Sequence, residues 1–136
     1  MPLDYIVKSG RMLVQPVFQG SYERFKTPFS RNDQVRQTRE MIEWRWDLGR
    51  TIEYLATRPD VDAGRIGYVG VSLGASWSLP LLAVETRLKA AVLLSGGIHW
   101  MQATPFLDAV NYAPRIRMPV LMVNGRYDEL HPIETS

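Results

Sequence analysis

Ser72 stands in the pattern best suited to chemistry in this chain. Gly70-Val71-Ser72-Leu73-Gly74 is a G-x-S-x-G pattern between an apolar run and a helical stretch. A serine held on a sharp strand-to-helix turn projects its hydroxyl clear of the sheet edge, where it can attack a carbonyl carbon. Glycines two before and two after carry no side chain, so strand and helix can approach closely. The backbone N–H of Leu73 then points where negative charge develops on the attacked oxygen. The bare pattern also arises by chance in glycine-rich turns. Here the strand before it, the helix after it and the small Ala75 and Ser76 favour the chemical reading.

A serine hydroxyl needs a base, and the base needs a group that orients it. Asn124-Gly125-Arg126-Tyr127-Asp128 follows the last apolar run, and Asp128 stands where a strand-end carboxylate would orient an imidazole. The plainer alternative is a loop aspartate capping a turn, and Glu129 is an adjacent competitor. The chain has two histidines, His99 and His131. His131 lies three residues after Asp128 and would have to fold back from the acid's own loop. His99 precedes the acid, against the chain order serine, acid, histidine expected with such a turn. Neither reads as the base. His99 and Trp100 read as lining a pocket above the strand ends, with Met101 and Phe106 as apolar neighbours, and His131-Pro132 reads as a surface loop. Two histidines without a clear third ligand do not make a metal site, so no metal is expected.

These residues need a frame. Apolar runs at Arg11–Phe18, Arg65–Val71, Leu88–Ser95 and Met118–Asn124 are strand candidates. Between the first two, a helical stretch covers about 32–57, with Met41, Leu48, Ile52 and Leu55 near one face. Gly49 weakens its middle and suggests two helices, and Arg58-Pro59-Asp60 ends it. A further helix is expected from Gly74 to about Val84, and a long mixed connection from Gly96 to Arg117. Strands alternating with helices imply an α/β layer architecture with a mostly parallel sheet. The near-continuous apolar character of the last three runs implies burial on both faces.

Length and composition bound the rest. The 136 residues suit one domain, 1–136, and a hydrophobic share of 46% supports a core. There are no cysteines, which excludes disulfides and thiolate chemistry. With 16 basic and 14 acidic residues the chain is near neutral, and Arg58, Arg65, Arg115, Arg117 and Arg126 are scattered, so no nucleic-acid stripe is expected. No apolar run is long enough for a bilayer, and the first residues lack the apolar core of a signal peptide, so a cytoplasmic place is expected. A dinucleotide fingerprint is missing too, because Gly67 and Gly70 lack the G-x-G-x-x-G spacing, and no cofactor is expected.

Taken together, these residues resemble the α/β-hydrolase superfamily, most of all its dienelactone-hydrolase and prolyl-oligopeptidase-like esterases. Among those, the chain is similar to esterase domains found alone or fused to bacterial serine/threonine kinases. Four stretches carry the resemblance: Ser9-Gly10-Arg11 with Gly20 to Arg24; Asp47 to Arg50 through Arg65-Ile66-Gly67; Gly70 to Gly74; and Tyr112-Ala113-Pro114-Arg115 with Pro119 and Gly125 to Asp128. The resemblance implies a three-layer sandwich with an incomplete sheet of about four strands, matching the fourth to the seventh of the family. It implies a first oxyanion donor after the family's third strand and a histidine after its eighth, neither with a counterpart in this sequence. The missing third strand would leave a gap beside the Arg65–Val71 strand. The chain is then a piece of a longer protein, or it pairs with a second copy or a complementing chain, or Arg11–Phe18 moves across to close the gap.

The expected function is that of a carboxylesterase-type serine hydrolase acting on a small ester. Ser72 is the nucleophile, Leu73 the oxyanion donor and Asp128 the acid. The rival is a catalytically incomplete hydrolase that serves as a scaffold, with Trp44, Trp46, Trp77 and Trp100 as candidate interface residues.

Overall fold

The structure is a computed structural model that describes residues 4–25, 33–96 and 105–131. Its longest element is a helix, and its chemistry begins at the cap. The Asp33 side chain accepts a hydrogen bond from the Arg36 N–H at 2.9 Å and so starts a helix over Gln34–Ala56. This helix, α2, follows a short α1 at Asp4–Lys8. Met41, Leu48, Ile52 and Leu55 are all buried along one face of α2, as their spacing predicts. The expected break at Gly49 does not occur, and α2 is one helix of 23 residues. A mid-helix glycine costs about 1 kcal/mol. Burying four large apolar side chains stabilises the helix by about 1.5–3 kcal/mol each and outweighs that cost.

Among the described residues the sheet has three parallel strands in the order β1 (Gly67–Val71), β2 (Ala90–Leu94), β3 (Val120–Val123). Val71, Leu94 and Val123 are in register, so the three strands end level with one another. After β1 the chain turns at Ser72 into α3 (Leu73–Ser76), and α4 (Ser78–Val84) continues it past Trp77.

The fourth strand expected at Arg11–Phe18 does not form. Pro16 removes one ladder donor from it, and Met12, Leu13 and Val14 stand exposed. The segment docks on α2 instead. Gln19 N–H donates to Asp47 Oδ2 at 2.8 Å, and Trp44 Nε1 donates to the Gln19 carbonyl at 2.7 Å. Arg24 adds an ion pair to Asp47 at 2.9 Å. The idea that Arg11–Phe18 closes the gap beside β1 is therefore overturned, and among the described residues β1 pairs with β2 alone.

Burial on both sheet faces is not met either. Tyr68, Gly70, Ala91, Leu93 and Met122 face the helices and the core. On the other face Val69 is 37% exposed, Val123 48% and Leu121 58%. All the helices packed on the sheet among the described residues lie on one side, so alternate strand residues stay uncovered. The core joins α2, α4, β2 and the turn at Leu107 and Ala109. Trp44 meets Trp77 edge-on at 6.1 Å, while Trp46 is exposed.

One buried charge ties the helical layer together. The Glu85 carboxylate, buried after α4, takes two hydrogen bonds from Arg87 at 2.7 Å and an ion pair from Arg45 of α2 at 3.3 Å. The Arg87 guanidinium, working against burial, holds this carboxyl below the usual carboxylate range. No helix among the described residues is long and apolar enough to cross a membrane.

Candidate active site

The turn at Ser72 has the backbone of a strained elbow. Ser72 has φ 51° and ψ −113°, a region that a residue with a Cβ rarely adopts. Such a conformation costs about 1–3 kcal/mol and persists only where neighbours over-determine it. They do so here. The Ser72 N–H donates to the Leu94 carbonyl of β2 at 2.8 Å. Its own carbonyl accepts from the N–H groups of Ala75 and Ser76 at 2.9 Å. Ser72 itself is exposed, and Leu73, the first residue of α3, is 45% exposed.

The two glycines of the pattern are not equivalent. A Cβ on Gly70 would lie 2.5 Å from the Gly74 carbonyl oxygen and 2.9 Å from the Ala75 nitrogen, both backbone. A Cβ on Gly74 would meet nothing closer than the Tyr68 hydroxyl at 3.8 Å. Close approach of strand and helix thus explains Gly70 and leaves Gly74 unexplained. The Gly74 carbonyl has its own partner, the Tyr68 hydroxyl, which donates to it at 2.8 Å. Burial pushes the Tyr68 phenol up to about 12.

Ser72, Ser95 and Asn124 each follow the last in-register residue of their strand, so they form a row along the carboxyl edge of the sheet. Ser95 is also turned to positive φ, 49°, and its N–H donates to Val123 O at 2.9 Å. Next to it, Gly96 packs against Ala75 so closely that an added Cβ would overlap the Ala75 methyl. Asn124 grips Gly96 with both side-chain atoms: Oδ1 accepts from Gly96 N–H at 3.1 Å, and Nδ2 donates to Gly96 C=O at 2.8 Å.

Asp128 lies in the loop that leaves β3. Its N–H donates to the Gly125 carbonyl at 3.1 Å, and its Oδ1 accepts from the N–H groups of Leu130 and His131 at 3.0 Å each. The turn-capping alternative is therefore realised, yet it uses one carboxylate oxygen and leaves Oδ2 outside the turn. Strands lie about 4.8 Å apart, so the ends of β1 and β3, with β2 between, are about 10 Å apart. The neighbouring Glu129 is exposed.

His131 corrects an expectation. The residue is not on the surface: it is 2% exposed and folds inward behind Asp128, while Leu130 before it is exposed and Pro132 lies outside the described residues. His99, Trp100 and Met101 lie outside the described residues. Phe106 is described and is 74% exposed. A shallow groove of about 390 Å³ lies elsewhere, between the Val14–Val17 segment and α2, and neither Ser72 nor Asp128 lines it. Among the described residues, no group of three or more His, Cys, Asp or Glu side chains is placed to hold a metal.

A strained serine at a strand-to-helix turn, beside a parallel sheet, is a geometry that families of hydrolases share. Residues 6–135 match the family model of the dienelactone hydrolase family. The chain belongs to that family. No curated protein matches it. As a dienelactone hydrolase family member it has the α/β-hydrolase fold, here with an incomplete three-stranded sheet. Four residues beside the elbow were not singled out from sequence. Tyr68, Ser95, Gly96 and Asn124 all sit within the strands or one to two residues past their ends. The Ser95-Gly96 pair after one apolar run and Asn124 before Gly125 were the available signals, but nothing in one sequence says that they meet.

Proposed function

We propose that this dienelactone hydrolase family member is a serine hydrolase of the carboxylesterase type, acting on a small ester. The Ser72 backbone carries the reading, since φ 51° at a strand-to-helix turn is strain without use unless the hydroxyl is being presented. Ser72 Oγ attacks the ester carbonyl carbon and its proton passes to an imidazole. The tetrahedral intermediate places its oxyanion against the Leu73 N–H. Collapse expels the alcohol, which takes that proton, and leaves an acyl-serine that water then hydrolyses by the same route. Asp128 uses Oδ2 to orient the imidazole, while Oδ1 keeps its own loop in shape. About 10 Å between the two strand ends leaves room for a ring between the two side chains. In this reading the imidazole reaches Ser72 from a histidine of a second copy or of a complementing chain. Acyl transfer of this kind calls for no cofactor.

A second reading has one observation in its favour. The uncovered face with Val69, Leu121 and Val123 suits a catalytically incomplete hydrolase that binds a partner. Labelling with a fluorophosphonate probe separates the two, because the probe reports a serine activated by a base. Labelling that disappears in Ser72→Ala supports the hydrolase. Absence of labelling in a protein whose circular dichroism shows it folded excludes a site completed by a second copy, and leaves a scaffold or a hydrolase still without its complementing chain.

A further inference from the structure

We propose that Asn124 is a positioning residue: its double hydrogen bond to Gly96 braces the acid loop against the nucleophile elbow and sets the separation of Asp128 and Ser72. The inference rests on the serine hydrolase reading for its functional meaning, and on the geometry alone for its existence. Asn124 is the first residue after β3, at the root of the loop that carries Asp128. Its partner Gly96 is 28 residues away in sequence. The carboxamide satisfies both backbone groups of Gly96 at once, through Oδ1 at 3.1 Å and Nδ2 at 2.8 Å. Only one orientation of the amide does this, since the N–H needs an acceptor and the carbonyl a donor.

Gly96 is itself pressed on the elbow. An added Cβ would lie 3.2 Å from both the Ala75 carbonyl carbon and the Ser76 nitrogen. The Ser76 N–H in turn donates to the Ser72 carbonyl at 2.9 Å. A continuous chain therefore runs from the acid loop to the nucleophile: Asn124 side chain, Gly96 backbone, first turn of α3, Ser72 carbonyl. The parallel ladder fixes the strands below this level, where Val71, Leu94 and Val123 are in register. Above it, the Asn124–Gly96 clamp joins the end of β3 to the end of β2 and through it to the elbow. Reacting groups must be held to well under 1 Å, so a link at this height bears on rate more than on fold.

The experiment is amide hydrogen exchange on the full chain, comparing Asn124→Ala with the unsubstituted protein. Exchange at Ser76 and Trp77, in the elbow, and at Leu130 and His131, in the acid loop, should quicken together by about tenfold, the loss of one to two hydrogen bonds. Thr57 and Arg58, at the far end of α2, should not change. A response in only one of the two segments overturns the brace, and so does an equal response at Thr57 and Arg58, which would mean general destabilisation. Fluorophosphonate labelling gives the second arm. The maximal labelling rate of Asn124→Ala should fall by about tenfold with the half-saturating probe concentration unchanged. An unchanged maximal rate overturns the positioning role. If the unsubstituted protein does not label at all, the chain by itself assembles no base, and the exchange arm alone decides the brace.

Discussion

The elbow and the acid loop present their side chains from the same sheet edge but are held by different physics. At Ser72 the backbone does the holding. Three main-chain hydrogen bonds and the contact over Gly70 define the turn, and the Ser72 hydroxyl takes no part in these. At Asp128 the side chain holds its own loop, because Oδ1 accepts from two following N–H groups. As the proposed nucleophile, Ser72 does not build its own site, so it can be replaced without disturbing the fold. As the proposed acid, Asp128 does build its loop, so it cannot be read from a single substitution, since shape and charge leave together.

The sharpest way to separate shape from charge is a pair of changes at Asp128. Asp128→Asn keeps an oxygen for the Leu130 and His131 N–H groups, so the loop should persist and unfolding should shift little. As the proposed acid it should nonetheless lower the maximal labelling rate of Ser72 by roughly four decades. Asp128→Ala should lower the rate as far and also destabilise by about 1–2 kcal/mol, since two N–H groups lose their acceptor. Equal labelling by the Asn variant and the unsubstituted protein would remove Asp128 from the chemistry and leave it a turn cap.

Gly70 tests the other side of the comparison. Its substitution by alanine drives a Cβ into the Gly74 and Ala75 backbone, where no side chain can swing away. Overpacking of this kind costs about 1–3 kcal/mol, and a rigid backbone contact belongs at the upper end. Denaturant unfolding of Gly70→Ala should show that loss. A stability unchanged within about 0.5 kcal/mol would mean that the elbow is looser than its contacts imply.

Tyr68 supports the elbow from below, and its effect should be smaller. Tyr68→Phe leaves the Gly74 carbonyl without its 2.8 Å donor and should cost about 1 kcal/mol near neutral pH. The pH dependence has a definite sign. Folding raises this phenol from its usual value near 10 to about 12, because burial disfavours the phenolate. The contribution is therefore complete below about pH 10 and is lost as pH rises towards 12. The stability difference between the unsubstituted protein and Tyr68→Phe should shrink across that window. A constant difference would show that the hydroxyl does not titrate with folding.

The same contrast explains how much the sequence disclosed. The elbow is local: Gly70, Ser72 and the helix that follows lie within a few residues, so spacing alone pointed to it. The face of α2 was equally legible, because Met41, Leu48, Ile52 and Leu55 carry its period. The clamp of Asn124 on Gly96 was not legible, since it depends on two strand ends meeting across 28 residues. Arg11–Phe18 looked like a strand because it is apolar, and tertiary bonds to Asp47 and Trp44 decided otherwise. His131 looked like loop surface beside Pro132, but its own side chain is buried at the end of an otherwise largely exposed loop. Geometry set by short-range stereochemistry was found, and geometry set by a distant partner was not.

Gly74 gives the smallest effect and the finest test. The G-x-S-x-G pattern treats its two glycines alike, but the structure does not. Gly74 has no positive φ, lies inside α3, and offers a Cβ only an ordinary 3.8 Å contact with the Tyr68 hydroxyl. Alanine in a helix is favoured over glycine by up to about 1 kcal/mol, partly through the unfolded chain. Gly74→Ala should therefore be neutral or stabilising by a few tenths to about 1 kcal/mol, opposite in sign to Gly70→Ala. If both alanines destabilise alike, the close approach at Gly70 is not what sets the pattern. If Gly74→Ala is stable but labels more slowly, the second glycine serves the space above Ser72 that a substrate would enter rather than the packing of the elbow.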